Sequence, residues 1–320
     1  MTAATSLPVT RAADLADVPT ERRWLVDELW GDEAVGIVGG EPKCCKSFLA
    51  LDLTVAVASG APCVRRFPVA RTGRVLLFAA EDALHVVRQR LAGIARAAGR
   101  ELRDLDIQVI TAPSVRLDVE RDRDALTETV DRLRPRLLVL DPFVRLHRID
   151  ENISGEVAPL LAHLRELQRR YHLAVVLVHH ARKGGAKMRA GQALRGSSEF
   201  HAWGDSNLYL RRHGDQLTLS VEHRAAASIS TVSLRLDTAE DAVALTAVDR
   251  APVAPVIAPP AEATIEQRVL EQLEAATAPM TATALRKRCQ VRNATLQSAL
   301  SALAADGRLR KERAGYTLAR

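Results

Sequence analysis

The sequence predicts an α/β fold: a large domain on a mostly parallel sheet, finished by antiparallel strands, with a second small domain behind it. Three observations predict this. Five short apolar runs alternate with segments of helical periodicity between residues 34 and 180, and near-continuous apolar strands separated by helices belong to a parallel sheet covered on both faces. The first of these runs leads into a stretch with the outline of a phosphate-binding loop, G-x-x-x-x-G-K-[ST]. A proline-rich segment at 251–263, APVAPVIAPPAEA, then separates residues 1–250 from a basic tail at 264–320, as a semi-rigid linker does.

Taken in order, AVGIVG (34–39) is the first buried strand and Gly40-Glu41-Pro42-Lys43-Cys44-Cys45-Lys46-Ser47 follows it, running into the apolar helix FLALDLTVAVASG. In that context, backbone N–H groups of residues 42–47 converge on a phosphate at a helix N-terminus. The nucleotide contacts expected are Gly40, Glu41, Pro42, Lys43, Cys44, Cys45, Lys46, Ser47 and Phe48. Lys46 reaches the β- and γ-phosphates of ATP, and the Ser47 hydroxyl ligates Mg²⁺. Cys45 stands where the loop pattern has glycine. At that position the chain is expected to be entering right-handed helix, where a Cβ is allowed, so the expected cost of Cys45 is steric and small.

RVLLFAA (74–80) ends at Glu81 and Asp82, RLLVLD (136–141) ends at Asp141, and LAVVLVHH (173–180) ends at His179 and His180; IQVIT (107–111) is a further strand. A carboxylate at 141 suits Mg²⁺, and one at 81 suits a base that orients and deprotonates water. A strand-end histidine beside the γ-phosphate suits a sensor, with His179 favoured. After Asp205, NLYLRR, QLTLSVEH, TVSLRL and AVALTAV alternate as antiparallel strands. Trp24 and Trp30 are expected to pack the N-terminal segment.

The set GGEPKCCKSFLALDL, FAAEDALHVVRQRL, LLVLDPFVRLHRIDENISG, VVLVHHARKGG and LRGSS resembles the RepA-type ATPases of the RecA superfamily, relatives of plasmid hexameric replicative helicases, over roughly residues 22–212. The resemblance implies a RecA-like P-loop NTPase core, Mg-ATP hydrolysis, assembly into a homo-oligomeric ring, a hexamer, and single-stranded DNA in the ring channel. By motif it assigns Lys46 as the loop lysine, Ser47 and Asp141 as magnesium ligands, Glu81 as the base and His179 as the sensor. Cys45 departs from the pattern. The arginine that such rings insert into a neighbour's site has no clear counterpart; Arg195 and the pair Arg211-Arg212 are the candidates. The acid-free loop ARKGGAKMRAGQALRG, with Arg182, Lys183, Lys187 and Arg189, would face the channel and track a phosphate backbone.

Charge singles out the tail. Residues 281–320 hold nine Lys/Arg against Asp306 and Glu312, within a chain of net charge +6, so the excess positive charge lies there and points to a polyanion. The order is helix (TIEQRVLEQLEAA), a short helix opened by Thr281 or Thr283, a third helix with Leu296, Leu300 and Leu303 inward, then a hairpin turning near Ala314-Gly315. It resembles a winged helix-turn-helix domain, in which the third helix enters the major groove of double-stranded DNA. Arg292 and Asn293 open that helix; Arg310 and Lys311 lie on the wing.

No run of about 18 uncharged apolar residues marks a membrane span. The N-terminus lacks the apolar core of a secretory signal, and the four cysteines show neither C-x-x-C nor zinc-ligand spacing; a cytoplasmic protein is expected. Two functions fit: an ATP-driven, helicase-like motor of plasmid or mobile-element replication, or a nucleotide-switched DNA-binding initiator or regulator.

Overall fold

The structure is a computed structural model describing residues 9–15, 23–180, 199–239, 242–248, 265–276, 278–289, 293–312 and 314–319. The chain divides into two compact units, Met1–Asp249 and Arg250–Arg320.

The strands of the first unit are β1 (Trp24–Val26), β2 (Trp30–Gly31), β3 (Val35–Gly40), β4 (Val75–Ala79), β5 (Ile107–Val109), β6 (Leu137–Asp141), β7 (Ala174–His180), β8 (Ser206–His213), β9 (Gln216–His223), β10 (Val232–Ala239) and β11 (Ala242–Val248). Among the described residues nine of them form one sheet in the order β11-β10-β9-β8-β3-β7-β6-β4-β5. From β8 to β5 every pairing is parallel; β8 to β11 are joined antiparallel. These antiparallel strands finish the sheet as expected, and β8 joins its two parts, parallel to β3 on one side and antiparallel to β9 on the other, because the chain returns to the near end of β3 before running beside it.

The helices are α1 (Lys46–Ser59), α2 (Leu84–Ala97), α3 (Glu120–Leu133), α4 (Ser154–Tyr171) and the short α5 (Glu199–Trp203). Strand parity sorts the side chains into two cores. Val38, Leu77, Val139, Val176, Leu208 and Leu210 join α1 and α2 on one face. Ile37, Phe78, Leu140, Leu177 and Tyr209 join α3, α4 and α5 on the other. Helix α1 is apolar on nearly every side because it lies between the sheet and α2. Its one buried carboxylate, Asp52, accepts from the Val64 N–H at 2.6 Å and pairs with Arg65. Its C-terminus closes at Gly60, whose φ of 76° lets its N–H return to Ala56 O at 2.8 Å.

Trp30 is fully buried and its Nε1–H donates to Ala34 O at 3.3 Å. Trp24 is half-buried, edge-on to His223. Both tie the entry to β3 onto the sheet, as expected. No helix among the described residues is long and apolar enough to cross a membrane.

The second unit contains α6 (Ile265–Glu274), α7 (Ala282–Cys289), α8 (Asn293–Ala305) and the hairpin β12 (Leu309–Glu312) with β13 (Gly315–Leu318). Leu270, Leu273, Leu285, Leu296, Leu300 and Leu303 build its core. Thr281 caps α7, its hydroxyl accepting from the Ala284 N–H at 3.3 Å. The segment before α7 adds a bridge to the hairpin, Met280 N–H to Tyr316 O at 3.1 Å and Tyr316 N–H to Met280 O at 2.8 Å.

Candidate functional site

The parallel strands β3, β7, β6 and β4 lie side by side, so the residues at their C-terminal ends share one edge of the sheet. Ligands of open α/β sheets bind outside that edge. The loop 40–45 leaves β3 and delivers the chain into α1.

The loop needs glycine at 40. Gly40 has φ 155°, and a Cβ there would meet Leu210 O at 2.4 Å and Cys44 Sγ at 2.6 Å. Two later loop residues take left-handed conformations without being glycine: Lys43 at φ 65° and Cys45 at φ 66°. This corrects the expectation for Cys45. It is the residue before the first turn of α1, at φ 66° and ψ 26°, not part of the right-handed helix. The cost of the Cβ is therefore conformational, about 1–2 kcal/mol. Cys44 and Cys45 are both free thiols.

Lys46 is 5% exposed. Its ammonium donates to Glu41 O at 2.8 Å and lies 3.9 Å from Cys44 Sγ, while the Cys44 thiol also donates to Glu41 O at 2.8 Å. Burial pushes the Lys46 pKa down; Cys44, Asp141 and Glu81 oppose that shift. Asp141 is 8% exposed, with the Ser47 side chain beside it. Burial pushes its carboxyl up to about 6, Glu81 and Asp82 add to the rise, and Ser47 and Lys46 oppose it. A buried acid with a hydroxyl beside it offers oxygens of the kind a hard divalent cation takes. Together with the glycine-walled loop and its buried lysine, these residues fit Mg²⁺ and a nucleotide triphosphate.

Strand parity decides which neighbour faces the loop. Asp141 continues the series Leu137, Val139 on the α1 face, and Glu81 lies two residues past the end of β4. His180 follows Val176 and Val178 onto that face, whereas His179 follows Val175 and Leu177 onto the other. There His179, 1% exposed, stacks on Phe200 with ring centroids 4.3 Å apart and meets Phe143 edge-on. Likewise Arg212 follows Leu208 and Leu210 onto the α1 face, and Arg211 lies opposite. The Arg212 guanidinium donates to Cys45 Sγ at 3.3 Å.

Sequence reasoning missed three contacts. Arg145, just past β6, pairs with Glu81 at 3.2 Å. Arg90 of α2 pairs with Asp82 and lies over the Phe48 ring, 5.2 Å from its centroid. Arg212 touches Cys45, and only the pairing of β8 with β3 tells it apart from Arg211. Pro42 and Lys43 are exposed at the loop tip, and Phe48 is half-buried in the first turn of α1.

Arg182, Lys183, Lys187, Arg189, Arg195 and Arg292 lie outside the described residues. Arg310 is exposed on β12, where Lys311 also lies; Asn293 opens α8; and Arg286, Lys287 and Arg288 form an exposed cationic turn at the end of α7.

A family profile described as AAA domain (AAA_25) matches residues 3–186. Among solved structures, a DnaB-like replicative helicase, reported with its interactions with primase, is similar at 14% identity and a TM-score of 0.51, over 67% of this chain and 57% of that one. The RadB recombinase is similar at 16% identity and a TM-score of 0.47, over 64% of this chain and 88% of that one. The first likeness shows a shared fold, and the chain spans little more than half the length of that helicase chain.

Proposed function

The chain belongs to the AAA domain family, and from that premise we propose that it is a Mg-ATP-hydrolysing, DNA-associated ATPase of RepA and RecA type, a ring-forming, helicase-like motor of plasmid or mobile-element replication. One observation carries the reading: Lys46 and Ser47 at the start of α1 meet Asp141 and Glu81 at the ends of two strands, with Ser47 beside Asp141.

In this reading Lys46 leaves the Glu41 carbonyl and takes phosphate oxygens as partners. Ser47 and Asp141 hold Mg²⁺, which when bound offsets phosphate charge. Glu81, released from Arg145, accepts a proton from the attacking water. His179 acts as a sensor through packing: its contacts with Phe143 and Phe200 link the tip of β7 to the turn after β6 and to α5. Arg195 or Arg211, presented by a ring neighbour, supplies charge in trans. Arg182, Lys183, Lys187 and Arg189 track single-stranded DNA, and the second unit, as a winged helix-turn-helix, meets duplex DNA through Arg292, Asn293, Arg310 and Lys311.

The exposed basic turn Arg286–Arg288 favours a second reading, in which nucleotide state switches duplex binding without strand separation. Turnover of ATP with and without single-stranded DNA, run beside a strand-displacement assay, separates the two. DNA-stimulated turnover with displacement supports the motor. Turnover without displacement, with duplex affinity that changes between ATP and ADP, supports the switch. Absence of turnover in every condition refutes both.

A further inference from the structure

We propose that Arg212 is a nucleotide-binding residue acting in cis, gripping the α- and β-phosphates from the β8 side of the loop. The inference rests on the nucleotide reading of this site.

Three observations lead to it. The register of β8 against β3 sets Leu210 beside Gly40, so Arg212 stands two residues past the point where the phosphate loop begins. Parity turns its side chain to the α1 face, where its guanidinium reaches Cys45 Sγ at 3.3 Å. Among the described residues that sulfur is its one polar partner.

A thiol is a weak acceptor for a guanidinium with five N–H donors. The cations on the other flank are matched: Arg90 has Asp82, and Arg145 has Glu81. Arg212 alone of the three faces the loop with its charge unanswered by a carboxylate. A phosphate oxygen is the acceptor that suits it, through charge-assisted bonds that a guanidinium forms in pairs.

Position decides which phosphates. Glu81 lies past β4 and Asp141 ends β6, both on the far side of β7 from β3, whereas β8 flanks β3 on its opposite side. The reacting end of a triphosphate lies towards the acids. Arg212 therefore holds the end shared by ATP and ADP. Because it already lies on its own chain's loop, it is not the arginine that a ring neighbour presents.

The test titrates ATP, ADP and inorganic tripolyphosphate against full-length wild type, Arg212→Ala and Arg212→Lys, with steady-state turnover in parallel. Arg212→Ala is expected to weaken all three ligands by about tenfold and to raise KM for ATP while kcat stays within about twofold. Arg212→Lys recovers part of the loss, since it keeps the charge and loses the fork. Mixing Arg212→Ala with Lys46→Ala chains gives no more turnover, per Arg212→Ala chain, than Arg212→Ala alone. Unchanged ADP affinity with a fall in kcat, or turnover on mixing above that of Arg212→Ala alone, overturns the proposal in favour of action in trans. Weakened ATP with unchanged tripolyphosphate overturns it in favour of stacking on the base. A wild type that binds none of the three ligands removes the nucleotide reading itself, a result distinct from wild-type binding that Arg212→Ala leaves untouched.

Discussion

The Ser47 side chain lies beside the carboxylate of Asp141 and favours its charged form, bringing the first turn of α1 to the tip of β6. The two residues lie far apart in sequence. They meet because β6 sits one strand away from β3, across β7, and because α1 runs back over that face of the sheet.

The first consequence of this arrangement is a pH dependence of stability. Burial raises the Asp141 pKa from 3.8 to about 6. The folded chain then binds more protons than the unfolded chain between those values, so stability falls as pH rises through about 4 to 6 and is level above, a loss of about 3 kcal/mol at most. Urea midpoints of the nucleotide-free chain at pH 4.5 and pH 7 should show this slope, and Asp141→Asn should flatten it. Mg²⁺ runs the other way: it needs the carboxylate, so Mg-nucleotide affinity should drop below about pH 6.

Glu81 separates chemistry from binding. Glu81→Gln should keep ATP affinity within about threefold and lower turnover by about 10²–10⁴. Direct nucleotide titration and single-turnover hydrolysis check the two parts independently.

Cys45 carries a conformational cost that glycine would remove. Cys45→Gly should stabilise the chain by about 1 kcal/mol, the left-handed cost less the entropy that glycine adds to the unfolded chain, while nucleotide binding persists. Gly40→Ala should do the reverse and abolish binding, since its Cβ would lie 2.4 Å from Leu210 O. Thermal unfolding of both variants, with and without ATP, reads both effects.

The second unit should bind duplex DNA through charge. Arg310→Ala should weaken binding about equally across sequences and lower the slope of log affinity against log salt by about one. Titrations at several salt concentrations measure it; an unchanged slope argues that this unit meets protein instead.

Much of this was legible in the residues. Val35–Val38, Val75–Phe78, Leu137–Leu140 and Ala174–Val178 are apolar on both parities because both faces are covered, and that marks buried parallel strands without further information. Glu81, Asp141 and the histidine pair announced themselves as the first polar residues after such runs. Parity did not. Whether His179 or His180, Arg211 or Arg212, turns towards α1 depends on how β7 and β8 pair with β3, and a shift of one residue would exchange them. The backbone at Cys45 was equally hidden, since the loop's need to aim its amides inward overrides the ordinary preference of a residue with a Cβ. The bridge between Met280 and Tyr316 joins one residue to a distant hairpin and leaves no periodic trace.

The central claim is that this loop grips a nucleotide triphosphate through Lys46 although Cys45 stands at its rim. Calorimetric titration of the full chain with Mg-ATP at pH 8, beside Lys46→Ala, tests it most directly. Saturable binding at one site per chain, lost in the variant, is the predicted result. Wild type that gives no binding, or a variant that binds as well as wild type, would contradict it.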